Sequence, residues 1–109
     1  MAGLPPYSHL AILRADARTP EAARTFLQDA TALAQTLRGA AHVTLYPPVP
    51  LGIARVANVE RMQMLVESAS RAALQAFLAD WLRALHQMPK RKADERILRW
   101  AVDVDPSAI

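Results

Sequence analysis

An α+β fold, with one antiparallel sheet covered on one face by two helices, is predicted by three features of the 109-residue sequence. Two stretches, Phe26 to Leu37 and Leu74 to Met88, repeat apolar residues at helical spacing. Around them lie short stretches rich in strand formers, and the last, Arg99 to Asp105, alternates in period two until Pro106 stops it. Apolar residues make up 52% and charged residues 21%, the balance of one folded domain over 1–109 with a single core.

Ser8 to Ala15 follows the stiff Pro5-Pro6 pair and reads as a nearly continuous apolar run, as expected of a strand inside a sheet. Thr19-Pro20-Glu21 then starts a helix with a hydroxyl cap, a proline whose missing N–H costs nothing there, and an acid near the positive dipole end. This helix is predicted over Pro20 to Arg38, with Gly39 as a left-handed C-terminal cap. Ala41 to Tyr46 reads as a second strand, ended by Pro47-Pro48-Val49-Pro50 because proline donates nothing to a ladder. Ile53 to Ala57 and Arg61 to Glu67, separated by Asn58-Val59-Glu60, read as an antiparallel hairpin.

Ser68-Ala69-Ser70 offers a cap for the second helix, Arg71 to Met88, whose stripe is Leu74, Phe77, Leu78, Trp81, Leu85 and Met88. A basic connection, Lys90 to Arg96, leads to the final strand. There Leu98, Trp100, Val102 and Val104 form an apolar face, and Arg99, Ala101, Asp103 and Asp105 the other. The rest of the chain is expected to pack on this strand, so that Trp100→Ala costs about 3–5 kcal/mol, as for a large buried aromatic. Strand, helix, strand pair, helix, strand is the order of a ferredoxin-like fold.

The composition excludes several chemistries. Without cysteine there are no disulfides, thiolate zinc sites or cysteine nucleophiles, and His9, His42 and His86 lack metal-site spacing. Only Gly3, Gly39 and Gly52 occur, too few for a phosphate loop such as a nucleotide site or an acylphosphatase-type enzyme requires. Asp103 and Asp105 share a strand face, but with no third acid or histidine beside them they are read as strand-end caps and partners for arginines. No apolar run nears the roughly 20 residues of a membrane span, and Met1 to Pro6 lacks a signal pattern, so a soluble, cytoplasmic protein without membrane contact is expected.

Net charge is +3, and eleven of the thirteen basic residues are arginine, suited to planar contacts with phosphate or carboxylate. Lys90, Arg91, Lys92, Arg96 and Arg99 stand against only Asp94 and Glu95, the best local candidate for a phosphate surface; Arg55 and Arg61 on the hairpin are the alternative. Arg71 and Gln75 lie one turn apart beside Leu78 and Leu82, a stripe that could hold a carboxylate above an apolar floor. An arginine in a first helical turn opposes the dipole and asks for another reason to be there.

Several of these segments together resemble the C-terminal domain of primosomal protein N′, the PriA replication-restart helicase family. Arg99-Trp100-Ala101-Val102-Asp103-Val104-Asp105-Pro106 is similar to the family's closing motif. Pro5-Pro6-Tyr7-Ser8-His9-Leu10-Ala11, Pro48-Val49-Pro50, Arg55, Arg61-Met62-Gln63-Met64-Leu65-Val66, Ser70-Arg71 and Leu74-Gln75 follow its pattern in order. The chain departs from it at Asn58-Val59-Glu60, where many relatives have a glycine and an aromatic residue, and at Met62, where an aromatic is common.

The resemblance implies a fold like that of a small-subunit ribosomal protein and a non-enzymatic role in recognising branched or forked DNA beside an ATP-driven 3′-to-5′ helicase. ATP, magnesium and zinc would belong to helicase and zinc regions that this chain lacks, so none is expected as a cofactor here. It further implies that Arg71 and Gln75 take the C-terminal tail of single-stranded-DNA-binding protein, for which Leu78 and Leu82 on the same stripe could line the apolar floor. Other primosome proteins and the remaining helicase domains would be further partners. The competing reading is a stand-alone ferredoxin-like regulatory or dimerisation domain that binds a small molecule.

Overall fold

Two nine-residue strands form the centre of the sheet. The computed structural model describes residues 8–51, 59–88 and 97–104. In chain order these give β1 (His9–Ala17), α1 (Pro20–Gln35), a 3-10 turn (Arg38–His42), β2 (Thr44–Leu45), β3 (Val49–Pro50), β4 (Glu60–Ser68), α2 (Arg71–His86) and β5 (Ile97–Val104). The sheet order is β2-β4-β1-β5, every pairing is antiparallel, and β3 also pairs with β4. With two helices crossing between strands, this is the ferredoxin-like α+β arrangement that the sequence predicts.

Alternation decides which face is covered. Ala11, Leu13, Ala15 and Ala17 of β1 and Met62, Met64 and Val66 of β4 are at most 1% exposed and meet the helices. From α1 come Ala22, Ala23, Phe26, Leu27, Ala30 and Ala34, and from α2 Leu74, Phe77, Leu78, Trp81 and Leu85. The small residues of β1 and α1 let the layers approach, and the bulk comes from Trp81 and Phe77, whose rings lie 5.2 Å apart. The Trp81 indole N–H, fully buried, donates to the Ala30 carbonyl at 2.9 Å and so ties α2 to α1.

Several boundaries differ from the sequence reading, each for a physical reason. The first helix ends at Gln35, with Thr36 as its right-handed C-cap. Gly39 sits in the 3-10 turn and not in the left-handed region; an added Cβ there would lie 3.3 Å from Cβ of Phe77, so close packing is what asks for glycine. Ala41 and His42 join that turn, leaving only Thr44–Leu45 as strand. The prolines do not end the edge: Val49 and Pro50 resume pairing with Gln63 and Met62 after a bulge in which Tyr46, Pro47 and Pro48 oppose two residues of β4. A strand tolerates this where, as here among the described residues, its outer side forms no ladder. The hairpin partner expected at Ile53 to Ala57 lies outside the described residues.

The final strand is also not the centre of the structure. Among the described residues β5 lies at the edge of the sheet and has no fully buried residue, and β1 and β4 hold the middle. Its register on β1 slips between Asp16 and Ala17, so Arg99 faces Asp16 while Ile97 faces Ala17. Leu98 is the extra residue of that bulge and is 46% exposed, so Ile97 takes the place on the apolar face expected for Leu98. Trp100 is half-buried, stacked on Phe26 at 6.1 Å and beside His86 at 4.8 Å.

Candidate functional site

The start of α2 is held by a chain of hydroxyl contacts. Ser68, the last residue of β4, donates to the His42 carbonyl at 2.8 Å and accepts from the Ser70 N–H at 3.1 Å. Ser70 caps the helix by accepting from the Ala73 N–H at 3.1 Å. Three elements thus fix where the helix begins. The two helix starts differ in charge: α1 places Glu21 in its first turn, whereas α2 has no acid there and carries Arg71.

Arg71 and Gln75 are both exposed and stand one turn apart. Leu82 continues the stripe half-buried, but Leu78 is only 5% exposed and belongs to the core. The helical repeat therefore brings the four residues onto one stripe, with Leu82 supplying most of its accessible apolar surface.

The arginine candidates are placed differently. Arg55, Lys90, Arg91, Lys92 and Arg96 lie outside the described residues. Arg61 reaches Asp16 with Nε at 2.8 Å and Nη2 at 3.1 Å, and Arg99 reaches the same carboxylate with Nε at 3.0 Å. Asp16 is only 5% exposed, and Arg61 in particular holds its carboxyl below the ordinary value of 3.8. Arg61 is thus engaged within the sheet by two of its nitrogens. Asp103 pairs with Arg14 across β5 and β1, as its reading as an arginine partner expects, and Asp105 lies outside the described residues.

The Asp16 cluster was missed in the sequence because Ser8 to Ala15 reads as a continuous apolar run. The signal was present: Arg14 and Asp16 alternate with Ala15 and Ala17, a period of two with one charged face. Elsewhere, Gln28, Thr31, Leu45, Tyr46, Pro47 and Pro48 line a shallow depression between α1 and the sheet edge. The Tyr46 hydroxyl beside it donates to Glu67, which raises the Tyr46 pKa and lowers that of Glu67. Among the described residues no group of three or more His, Cys, Asp or Glu side chains could hold a metal ion, and no helix is long and apolar enough to cross a membrane.

The family model described as the primosomal protein N C-terminal domain matches residues 1–107. The chain belongs to this family. Membership assigns it a replication-restart role in general terms, as a non-catalytic domain associated with DNA replication and the primosome. The fold is also similar to that of a solved structure, the de novo designed protein Foldit4, at 9% identity and a TM-score of 0.57 over 90% of this chain and 96% of that one. At that identity the likeness concerns the fold alone.

Proposed function

We propose that the domain is a recognition module of a replication-restart helicase, which contacts branched DNA and holds the C-terminal tail of single-stranded-DNA-binding protein on α2. The observation that carries the tail reading is the exposed Arg71–Gln75 pair over Leu82, at a helix start with no acid of its own. A tail that ends in an acidic, apolar segment offers a free carboxylate. Arg71 can meet it with two parallel hydrogen bonds, the first turn of α2 adds a positive end, and Gln75 adds a neutral donor one turn on. The DNA reading rests on Lys90, Arg91, Lys92 and Arg96 with Arg55, whose phosphate contacts would be independent of sequence and weaken with salt.

A tail peptide titrated against the full-length helicase and its Arg71→Ala variant tests the tail site. Loss of charge-assisted hydrogen bonds worth about 1.5–3 kcal/mol weakens binding by about 10- to 150-fold. Arg83→Ala, which removes an exposed arginine bonded to Asp80 at 2.8 Å near the other end of the helix, leaves the affinity unchanged. Equal affinities for wild type and Arg71→Ala would remove the tail from this helix.

A further inference from the structure

We propose that Arg99 contacts a phosphodiester group of nucleic acid on the open face of the sheet, with its guanidinium held in place by Asp16. The inference rests on the DNA reading above and gives that reading a residue on the folded sheet. Asp16 lies on the face of β1 that the helices do not cover, yet it is only 5% exposed. Two arginines cover it: the register sets Arg61 on one side and Arg99 on the other, and both bond its carboxylate.

The two arginines are engaged differently. Arg61 commits Nε and Nη2 to Asp16 and keeps 29% of its side-chain surface. Arg99 meets Asp16 through Nε alone and keeps 75%, so its two terminal nitrogens stay accessible to a second acceptor. A guanidinium anchored through Nε presents its outer edge as a fork, which fits two oxygens of one phosphate. The anchor is already present in the free protein, so binding has little left to order. Arg14, two residues before Asp16 on the same face, pairs with Asp103. Arg14, Arg61 and Arg99 thus stand against Asp16 and Asp103, and the patch keeps a net positive charge. The row Arg61, Asp16, Arg99 has no apolar side chain on which a peptide could rest, whereas a phosphate needs none. In sequence Arg99 follows the basic stretch Lys90 to Arg96 by three residues, in the same run of chain as the other phosphate candidates.

The test is binding of a labelled forked DNA to the 109-residue chain over a salt series, for wild type, Arg99→Ala, Arg99→Lys and Arg83→Ala, each verified as folded by circular dichroism. Arg99→Ala is expected to bind about tenfold more weakly at low salt and to lower the slope of log K against log salt by about 0.7–0.9, the value of one phosphate contact. Arg99→Lys keeps the slope because its charge remains, but binds several-fold more weakly because it lacks the fork that reaches Asp16 and a phosphate together. Arg83→Ala, which removes an exposed arginine of α2 bonded to Asp80, leaves the slope unchanged and so separates a site from a loss of net charge. Equal slopes for wild type and Arg99→Ala overturn this site and leave the DNA reading to the remaining basic residues. A wild type that binds no fork at low salt overturns both. Arg99→Lys binding as tightly as wild type overturns the anchoring by Asp16. Loss of tail-peptide affinity in Arg99→Ala would assign the guanidinium to a protein carboxylate and overturn the proposal as well. Should Arg99→Ala not fold, Arg99→Gln removes the same charge and gives the same test of slope.

Discussion

The two faces of the sheet are made from the same strands and hold by different means. Along β1, Ala11, Leu13, Ala15 and Ala17 face the helices and are almost wholly buried, while Ile12, Arg14 and Asp16 between them face away. The covered face draws on apolar burial and close contact, which act without direction. The open face carries directional ion pairs: Asp16 stands in register with Arg61 on β4 and with Arg99 on β5, and bonds both. One covered layer supplies cohesion, and one carboxylate ties three strands in a single register. A slip by one residue would separate these partners and turn every apolar side chain outward.

The covered face is weakened most by a change at Trp81. Trp81→Ala removes the largest fully buried side chain and the bond to the Ala30 carbonyl, and a loss of about 3–5 kcal/mol by urea unfolding is expected. A loss below about 1 kcal/mol would mean that the helix layer does not hold the sheet as described.

Asp16→Asn is the next largest. It removes the charge from two charge-assisted contacts, and about 1.5–3 kcal/mol is expected at neutral pH. Because the folded-state pKa of Asp16 lies below 3.8, its contribution is complete above the unfolded value and is lost as pH falls through the folded one. Wild type should therefore lose more stability than Asp16→Asn between pH 5 and pH 2, with Glu67, also held low, contributing equally to both. Parallel pH profiles for the two proteins would show that the open face is held by something other than this carboxylate.

Trp100 sharpens the boundary between the faces. As a half-buried residue of an edge strand it should cost about 1–2 kcal/mol on truncation to alanine, less than the 3–5 kcal/mol expected from its sequence pattern alone. Leu98→Ala, at the exposed bulge, should fall within about 0.5 kcal/mol of wild type. If Trp100→Ala matched Trp81→Ala in thermal melting, the edge would belong to the core after all.

Much of the candidate site was legible because it lies within one helix. Arg71, Gln75, Leu78 and Leu82 recur at spacings that share a stripe in any α-helix, and Ser70 marks the start by its own chemistry. The depth of the stripe was not legible: Leu78 is core and Leu82 surface because of what packs on α2, not because of their own type. Arg61 shows the same limit. As a basic residue in a strand it suggested phosphate, and only the alignment of β1 with β4 brings it to Asp16, forty-five residues earlier.

By itself the sequence determined the elements with strong local codes: two amphipathic helices with hydroxyl caps, strands of period two, and the order that makes the fold ferredoxin-like. It carried the family as well, through the ordered segments that end in Arg99 to Pro106. The tertiary structure alone decided which strand lies at the centre, that Pro47 and Pro48 interrupt an edge without ending it, and that Leu98 turns outward while Ile97 turns in. Helix period and capping are fixed by residues three or four positions apart. Strand order, bulges and the partner of a charge depend on residues far apart in the chain, whose pairing is settled by burial and register.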